Sequence, residues 1–261
     1  MEFDADHPVL LHPGEGETIF DRPERTIRIL ADRDELALTC FRYEPGQEGP
    51  DPHVHRQHTD AFYVLEGKLD FGLGPEVTRM TGTAGTFAAA PPNVVHTFRN
   101  ASDATVVFLN IHAPSMGFAE MLRAARDGRA ADEADFDQFE PPADGGRPLS
   151  DAEFRGRGEG QSIRIGENSA VLKAQGPEGF FSLAELTLEP GFRGAAQHRH
   201  RALVDGFYVI EGTLSLQLAD GWLDAGPGAF GLIPEGHPHT FAAKSKKGVR
   251  MLNLACGHRS R

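Results

Sequence analysis

Only two cysteines, Cys40 and Cys256, occur in 261 residues, and neither belongs to a CxxC pair. That excludes a disulfide framework and makes a reducing compartment the simpler setting. No stretch approaches the roughly 18 consecutive apolar residues a membrane span needs. The first residues, MEFDADHPVLLHPGEGE, are acidic and lack the basic-then-apolar order of a secretory signal. The expectation is a cytoplasmic protein with no membrane partner. Positive charge is short as well: 26 Lys and Arg stand against 38 Asp and Glu, a formal charge of −12. Such a balance repels phosphate backbones and argues against a nucleic-acid partner.

What the chain has in quantity is turn formers, 30 glycines and 18 prolines spread along its length. It also has an internal repeat. YEPGQEGPDPHVHRQHTDAFYVLEG, from Tyr43, aligns with LEPGFRGAAQHRHRALVDGFYVIEG, from Leu188, at an offset of 145. GTFAAAPPNVVHTF, from Gly85, aligns with GAFGLIPEGHPHTF, from Gly228, at 143, as FLNIHAP from Phe108 does with MLNLACG from Met251. The offset falls by two between Gly67 and Gly85. A loss of two residues leaves the inward and outward faces of a strand unchanged, whereas a loss of one would invert them.

Each copy reads as short strands. LALTCFRYEPG and DAFYVLEG alternate, the second ends in a Glu-Gly hairpin signal, and TVVFLNIHAP is rich in β-branched residues. Six or more such strands per copy predict an all-β sandwich or barrel. Between the copies, Phe118, Met121, Leu122 and Ala125 fall at helical spacing, with Ser115 as the expected N-cap and Gly128 as the stop. The acidic and then Pro/Gly-rich segment beyond reads as a linker. The expected organisation is an N-terminal barrel over 1–114, a helix and linker over 115–150, and a C-terminal barrel over 151–261.

The chemistry lies in the histidines. Residues i and i+2 of a strand share a face, so His53 with His55, and His198 with His200, can present paired imidazoles. Asp60 and Asp205 follow five residues after each pair, and His96 and His239 supply a third imidazole after the proline break. Twelve histidines in this chain would yield only about half an HxH pair by chance. Two pairs at the repeat offset, each with a matching aspartate and third histidine, therefore predict one divalent transition metal per barrel. Iron, manganese, nickel, copper and zinc suit this donor set, which is too rich in nitrogen for calcium or magnesium. His58 has the opposite strand parity to the ligands and is expected to be exposed, His112 to be structural or interfacial, and His237 to be a loop residue. Phe62, Phe98, Phe207 and Phe241 share the ligands' parity and are expected inside the barrel, either as core or as the wall of a substrate pocket.

These motifs resemble those of the cupin superfamily: glycine, HxH, acid and glycine, then glycine, proline, glycine and histidine. Gly46, His53, His55, Asp60 and Gly67, then Gly85, Pro91 and His96, with Asn100 following, carry the resemblance in the first copy. Gly191, His198, His200, Asp205 and Gly212, then Gly228, Pro234, Gly236 and His239, carry it in the second. The resemblance implies two tandem jelly-roll barrels, a bicupin of the quercetinase-like kind. Both copies depart from the family's usual glutamate, having an aspartate one methylene shorter, which leaves open whether the acid ligates directly or through water. Asn93 stands where the second motif has glycine, in a left-handed turn that asparagine tolerates. Ala243 stands opposite Asn100.

The leading expectation is a metal-dependent dioxygenase of a small aromatic or enolisable oxygenated compound, with Asp60 or Asp205 taking the proton. An apolar barrel is expected to raise the pKa of either carboxyl. The alternatives are a metal-dependent isomerase or cyclase acting without O2, and a non-catalytic bicupin that binds a small ligand. Both barrels are expected to hold metal, with the first slightly favoured for catalysis because it retains Asn100. A monomer or a homodimer fits equally.

Overall fold

A computed structural model describes residues 6–176, 181–219 and 221–257. Along the chain the strands are β1 (Val9–Leu11), β2 (Glu17–Asp21), β3 (Arg25–Arg33), β4 (Leu36–Tyr43), β5 (Val54–His55), β6 (Thr59–Glu66), β7 (Lys68–Leu73), β8 (Thr78–Thr83), β9 (Phe87–Ala90), β10 (His96–Arg99) and β11 (Val106–Ala113). Helix α1 (Phe118–Asp127), β12 (Gln138–Phe139) and β13 (Glu153–Arg155) follow. The second half runs β14 (Gln161–Ile165), β15 (Asn168–Gln175), β16 (Phe181–Leu188), β17 (Leu203–Gly212), β18 (Leu214–Leu218), β19 (Gly221–Ala225), β20 (Phe230–Ile233), β21 (Thr240–Ala242) and β22 (Val249–Gly257). Among the described residues no helix is long and apolar enough to cross a membrane.

Each half is a jelly-roll barrel of two facing sheets, as the repeat predicts. The first pairs a sheet of order β13-β9-β6-β11-β4-β3-β2 with a sheet of order β10-β7-β8. The second repeats the plan, with β1-β20-β17-β22-β16-β15-β14 facing β19-β18-β21. The halves form two compact units. Glu17–Gly158 make one, and the segment up to Gly16 with the chain from Glu159 makes the other. Division in chain order into 1–114, 115–150 and 151–261 differs from this at both ends. Strand β1 pairs with β20 of the C-terminal barrel, and β13 pairs with β9 of the N-terminal barrel. The physical reason is edge protection, since β20 and β9 would otherwise expose an unpaired strand edge.

The two-residue length change falls in a hairpin turn. Four residues separate Leu73 from Thr78, and two separate Leu218 from Gly221, so the pairing on either side is preserved. At the Glu-Gly turns, Gly67 and Gly212 take φ values of 75° and 80°. A Cβ there would collide with the carbonyl oxygen of Thr105 or Gly248, so only glycine fits.

Central strand β11 is buried on both faces, which its apolar run VVFLNIHA permits. Around it, Phe41, Phe62, Phe98 and Phe108 pack together, with Phe41 and Phe108 stacked at 5.1 Å and Phe62 tilted against Phe98 at 5.2 Å. Each such side chain stabilises the fold by roughly 1.5–3 kcal/mol through burial. In the second barrel Phe207, Val209, Leu214, Leu216 and Met251 form the core, with Phe241 partly buried against it.

Helix α1 starts one residue after Gly117, which occupies the N-cap position in place of Ser115, and ends at Gly128 as expected. Its buried residues are Ala119, Leu122 and Ala124, whereas Ala125 is exposed. On the same helix Arg123 pairs with Glu17 and Asp32, at 2.7 Å each. The segment beyond the helix is not the free linker its composition suggests. It folds back on the first barrel, where β12 pairs with β5 and so sets Gln138 opposite His55.

Candidate metal centres

In the first barrel β5 and β10 bring the ligand set together. His53 and His96 form an antiparallel bridge, their backbones exchanging hydrogen bonds of 3.1 and 3.0 Å. The left-handed turn at Asn93, φ 65°, donates its N–H to the His55 carbonyl at 2.6 Å and holds that residue against the bridge. Gly236, φ 81°, does the same for His200 at 2.7 Å in the second barrel. One backbone contact thus explains why the turn needs a residue that tolerates positive φ.

Three imidazoles are oriented by backbone carbonyls. The Nδ1 atoms of His53, His55 and His96 lie 2.8, 2.9 and 3.0 Å from the carbonyl oxygens of Asp51, Asp137 and Val94. A carbonyl only accepts, so each Nδ1 donates to it, and each ring turns its Nε2 inward. His55 Nε2 is buried without a hydrogen-bond partner. Asp60 Oδ2 stands 3.1 Å from His96 Nε2 and 3.8 Å from His55 Nε2. One donor atom from each of His53, His55, Asp60 and His96 falls within 4.8 Å of the others. Lone pairs converging in a buried space, one of them orphaned, call for a cation between them. The set fits a divalent metal with three nitrogen ligands and one carboxylate.

Electrostatics favour the ligating protonation states. Burial, with help from the neighbouring His96 and His55, pushes the His53 pKa down to about 3. The expected rise of the Asp60 pKa does not occur. Burial raises it, but the surrounding imidazoles of His112, His55 and His96 outweigh burial and hold the carboxyl well below its ordinary value. Asp205 is likewise lowered by His200, His239 and Asn253 against the effect of burial.

Behind the ligands lies a shell that motif reasoning did not assign. Asn110 donates through Nδ2 to Asp60 Oδ1. Its repeat mate Asn253 donates to Asp205 Oδ1 at 2.5 Å. The two asparagines occupy the same place in the aligned FLN and MLN segments. His112 stands directly across the strand pair from Asp60, with its Nε2 3.5 Å from Oδ1. It stacks on Phe118 of α1 at 3.6 Å. His58, expected to be exposed, is 1% exposed. The chain turns between β5 and β6, so strand parity does not hold there, and His58 bonds Asp137 and His112 instead. Asn100 is buried but takes no part in the centre; it bonds the carbonyls of Tyr43 and Ala104.

The second barrel repeats the frame with less cover. His198 and His239 bridge, and their Nδ1 atoms face the carbonyls of Ala196 and His237 at 3.1 and 3.0 Å. His198, His200 and His239 bring donor atoms within 4.8 Å of one another. Asp205 Oδ2 lies 3.4 Å from His200 and 3.2 Å from His239. The His200 side chain is 32% exposed, against 2% for His55. His237 is a half-buried loop residue bonded to the Asp6 carbonyl. The rings of Phe62, Phe98 and Phe207 are buried against other side chains, and Phe241 is partly open. Groups of this kind can hold a metal in each barrel.

The cupin domain model matches residues 39–112 and 184–255. Among solved structures, a putative glyoxylate induced protein from Pseudomonas aeruginosa superposes with a TM-score of 0.68 at 16% identity, over 98% of this chain and 91% of that one. Protein Ylba from E. coli gives 0.70 at 14% identity, over 99% and 94%. The oxalate decarboxylase of Lactobacillus farciminis, solved as a formate complex, gives 0.65 at 14%, over 97% and 88%. No curated protein sequence matches. With a matched domain in each barrel and histidines at both motif positions, the chain belongs to the cupin family and carries two cupin domains in tandem.

Proposed function

We propose that this protein is a metal-dependent enzyme acting on a small enolisable, oxygen-rich compound, that its working centre is the second barrel, and that the reaction is dioxygenation. The observation that carries this reading is access. His200 meets solvent with its side chain 32% exposed, whereas its equivalent His55 in the first barrel is sealed at 2%; Asp205, like Asp60, is buried behind it. The preference for the first barrel based on Asn100 loses its ground, since that side chain only shapes a turn. A redox-capable divalent metal held by His198, His200 and His239 would polarise a chelated oxygen and open a route for O2.

The chain's own residues then have defined tasks. Asp205 Oδ2, near the imidazoles of His200 and His239, can accept a proton from an enolisable carbon or hydroxyl delivered from solvent. Asn253, fixed by its bonds to Asp205 Oδ1 and to the Gly206 carbonyl, keeps that carboxylate from rotating away. An enolisable substrate is preferred to a large aromatic one because Phe207 is spent on packing and only Phe241 is partly open.

The similarity to oxalate decarboxylases supports a second reading, non-oxidative chemistry on a small carboxylate at the same centre. One experiment separates the two. Metal-loaded protein is screened with diketones, hydroxy acids and oxalate while oxygen uptake and CO2 release are followed together, with His200→Ala as the control. Oxygen uptake abolished by that variant supports dioxygenation, and CO2 release without oxygen uptake supports the second reading. If His200→Ala leaves turnover unchanged while His55→Ala abolishes it, the assignment to the second barrel is wrong.

A further inference from the structure

We propose that Asp137, carried by the segment between the barrels, is a positioning residue of the first metal centre, clamping its HxH strand and the His58–His112 pair that backs Asp60. The proposal rests on the reading of that centre as a metal site. Asp137 is 2% exposed and sits in the left-handed region at φ 60°. A non-glycine residue is held there only when its surroundings compensate, and an aspartate can do so through its own hydrogen bonds.

Its contacts converge on the ligand strand. The backbone carbonyl accepts from His55 Nδ1 at 2.9 Å, which is what turns His55 Nε2 toward the other donors. The carboxylate Oδ2 accepts from the N–H groups of Arg56 and Gln57 at 3.1 and 2.8 Å, and from His58 Nδ1 at 2.8 Å. His58 Nε2 meets His112 Nδ1 at 2.8 Å, and His112 Nε2 lies 3.1 Å from Asn110 Oδ1, whose own amide holds Asp60. A continuous chain of bonded side chains thus runs from Asp137 to a metal-facing carboxylate. The segment is anchored beside the strand as well, because β12 pairs with β5 and Arg56 lies over the Phe139 ring at 3.7 Å.

The duplication supplies an internal control. At the repeat offsets, His58 is replaced by Leu203 and His112 by Ala255. The second barrel therefore lacks both imidazoles through which Asp137 acts, and its equivalent of His55 is open to solvent. The clamp belongs to the first centre alone, and it accounts for the difference in exposure between two otherwise matching ligand sets. Partners that orient metal-binding imidazoles commonly alter metal affinity by about 10–100-fold when removed.

The test uses the full-length chain with the second centre disabled by His198→Ala and His239→Ala, loaded with Co2+. That background is expected to bind one equivalent with a distinct visible spectrum. Asp137→Ala should speed loss of Co2+ to a chelator by about 10-fold or more and alter the spectrum. Asp137→Asn, whose amide oxygen still accepts from the loop N–H groups, should recover much of both, and circular dichroism verifies that each variant is folded. His58→Leu, the residue of the second copy, should shift the spectrum in the same direction as Asp137→Ala. If the background loads normally and Asp137→Ala matches it within about twofold in release and in spectrum, the positioning role is refuted. A background that loads two equivalents, one of them lost with Asp137→Ala, would also refute it by making His58 and His112 metal ligands. A background that takes up no metal would overturn the metal-centre reading, and this inference with it.

Discussion

Replacing Asn110 with alanine tests the shell behind the first centre most directly. Asn110 is 2% exposed. Its amide donates to Asp60, a charged acceptor, and its oxygen faces His112 Nε2 at 3.1 Å. A hydrogen bond to a charged group contributes roughly 1.5–3 kcal/mol and a neutral one about 1 kcal/mol, so Asn110→Ala should cost about 3 kcal/mol in metal-free protein. At roughly 3 °C per kcal/mol for a unit of this size, the first-barrel transition should fall by roughly 10 °C. Asn253→Ala is the matched control, because Asn253 is half-buried and bonds Asp205 and the Gly206 carbonyl, with Ala255 where His112 stands in the first copy. It should cost less, about 2 kcal/mol. Scanning calorimetry of chelator-treated protein reads both. A cost for Asn110→Ala below about 1 kcal/mol, or below that of Asn253→Ala, would refute the reasoning.

Three further outcomes are expected. His53→Ala combined with His96→Ala should remove about one metal equivalent by elemental analysis while circular dichroism stays unchanged; unchanged metal content would void the ligand assignment. Metal-free protein should lose stability as pH falls from about 6.5 toward 4. His53 and His58 stay neutral in the fold, with pKa values pushed down to about 3 and about 4 by burial, while the unfolded chain takes up the protons. Each contributes a slope of about 1.4 kcal/mol per pH unit, read from urea midpoints, and a first unit equally stable at pH 7 and 5 would contradict this. His239, held above its usual value through Asp205 despite burial, acts in the opposite sense in the second unit, where its contribution is lost as pH rises. Arg123→Ala, which frees Glu17 and Asp32 from α1, should cost about 1 kcal/mol because the cluster is partly exposed, and the difference should shrink at high salt in thermal melts.

Much of the site was legible because it repeats. His53, His55 and Asp60 align with His198, His200 and Asp205 at an offset of 145, and His96 with His239 at 143; the positive φ of Asn93 followed from the same alignment, which bracketed the length change between Gly67 and Gly85 without placing it in a hairpin. Asn110 and Asn253 were visible as an aligned pair but carried no motif to name them. His58 was misjudged because parity was extended through a turn, where alternation has no meaning.

The sequence alone determined two all-β barrels and their paired sets of candidate ligands, since alternation, turn residues and a duplicated HxH spacing are local properties that survive without knowledge of packing. Tertiary structure alone decided that β1 and β13 cap the barrels opposite to their chain order, and that Asp137, 77 positions beyond Asp60, closes on the first centre. It also decided that the two matching centres differ in exposure. Those outcomes depend on which unpaired edges and buried polar groups remain after the strands have folded, and no local pattern records what a distant segment will satisfy.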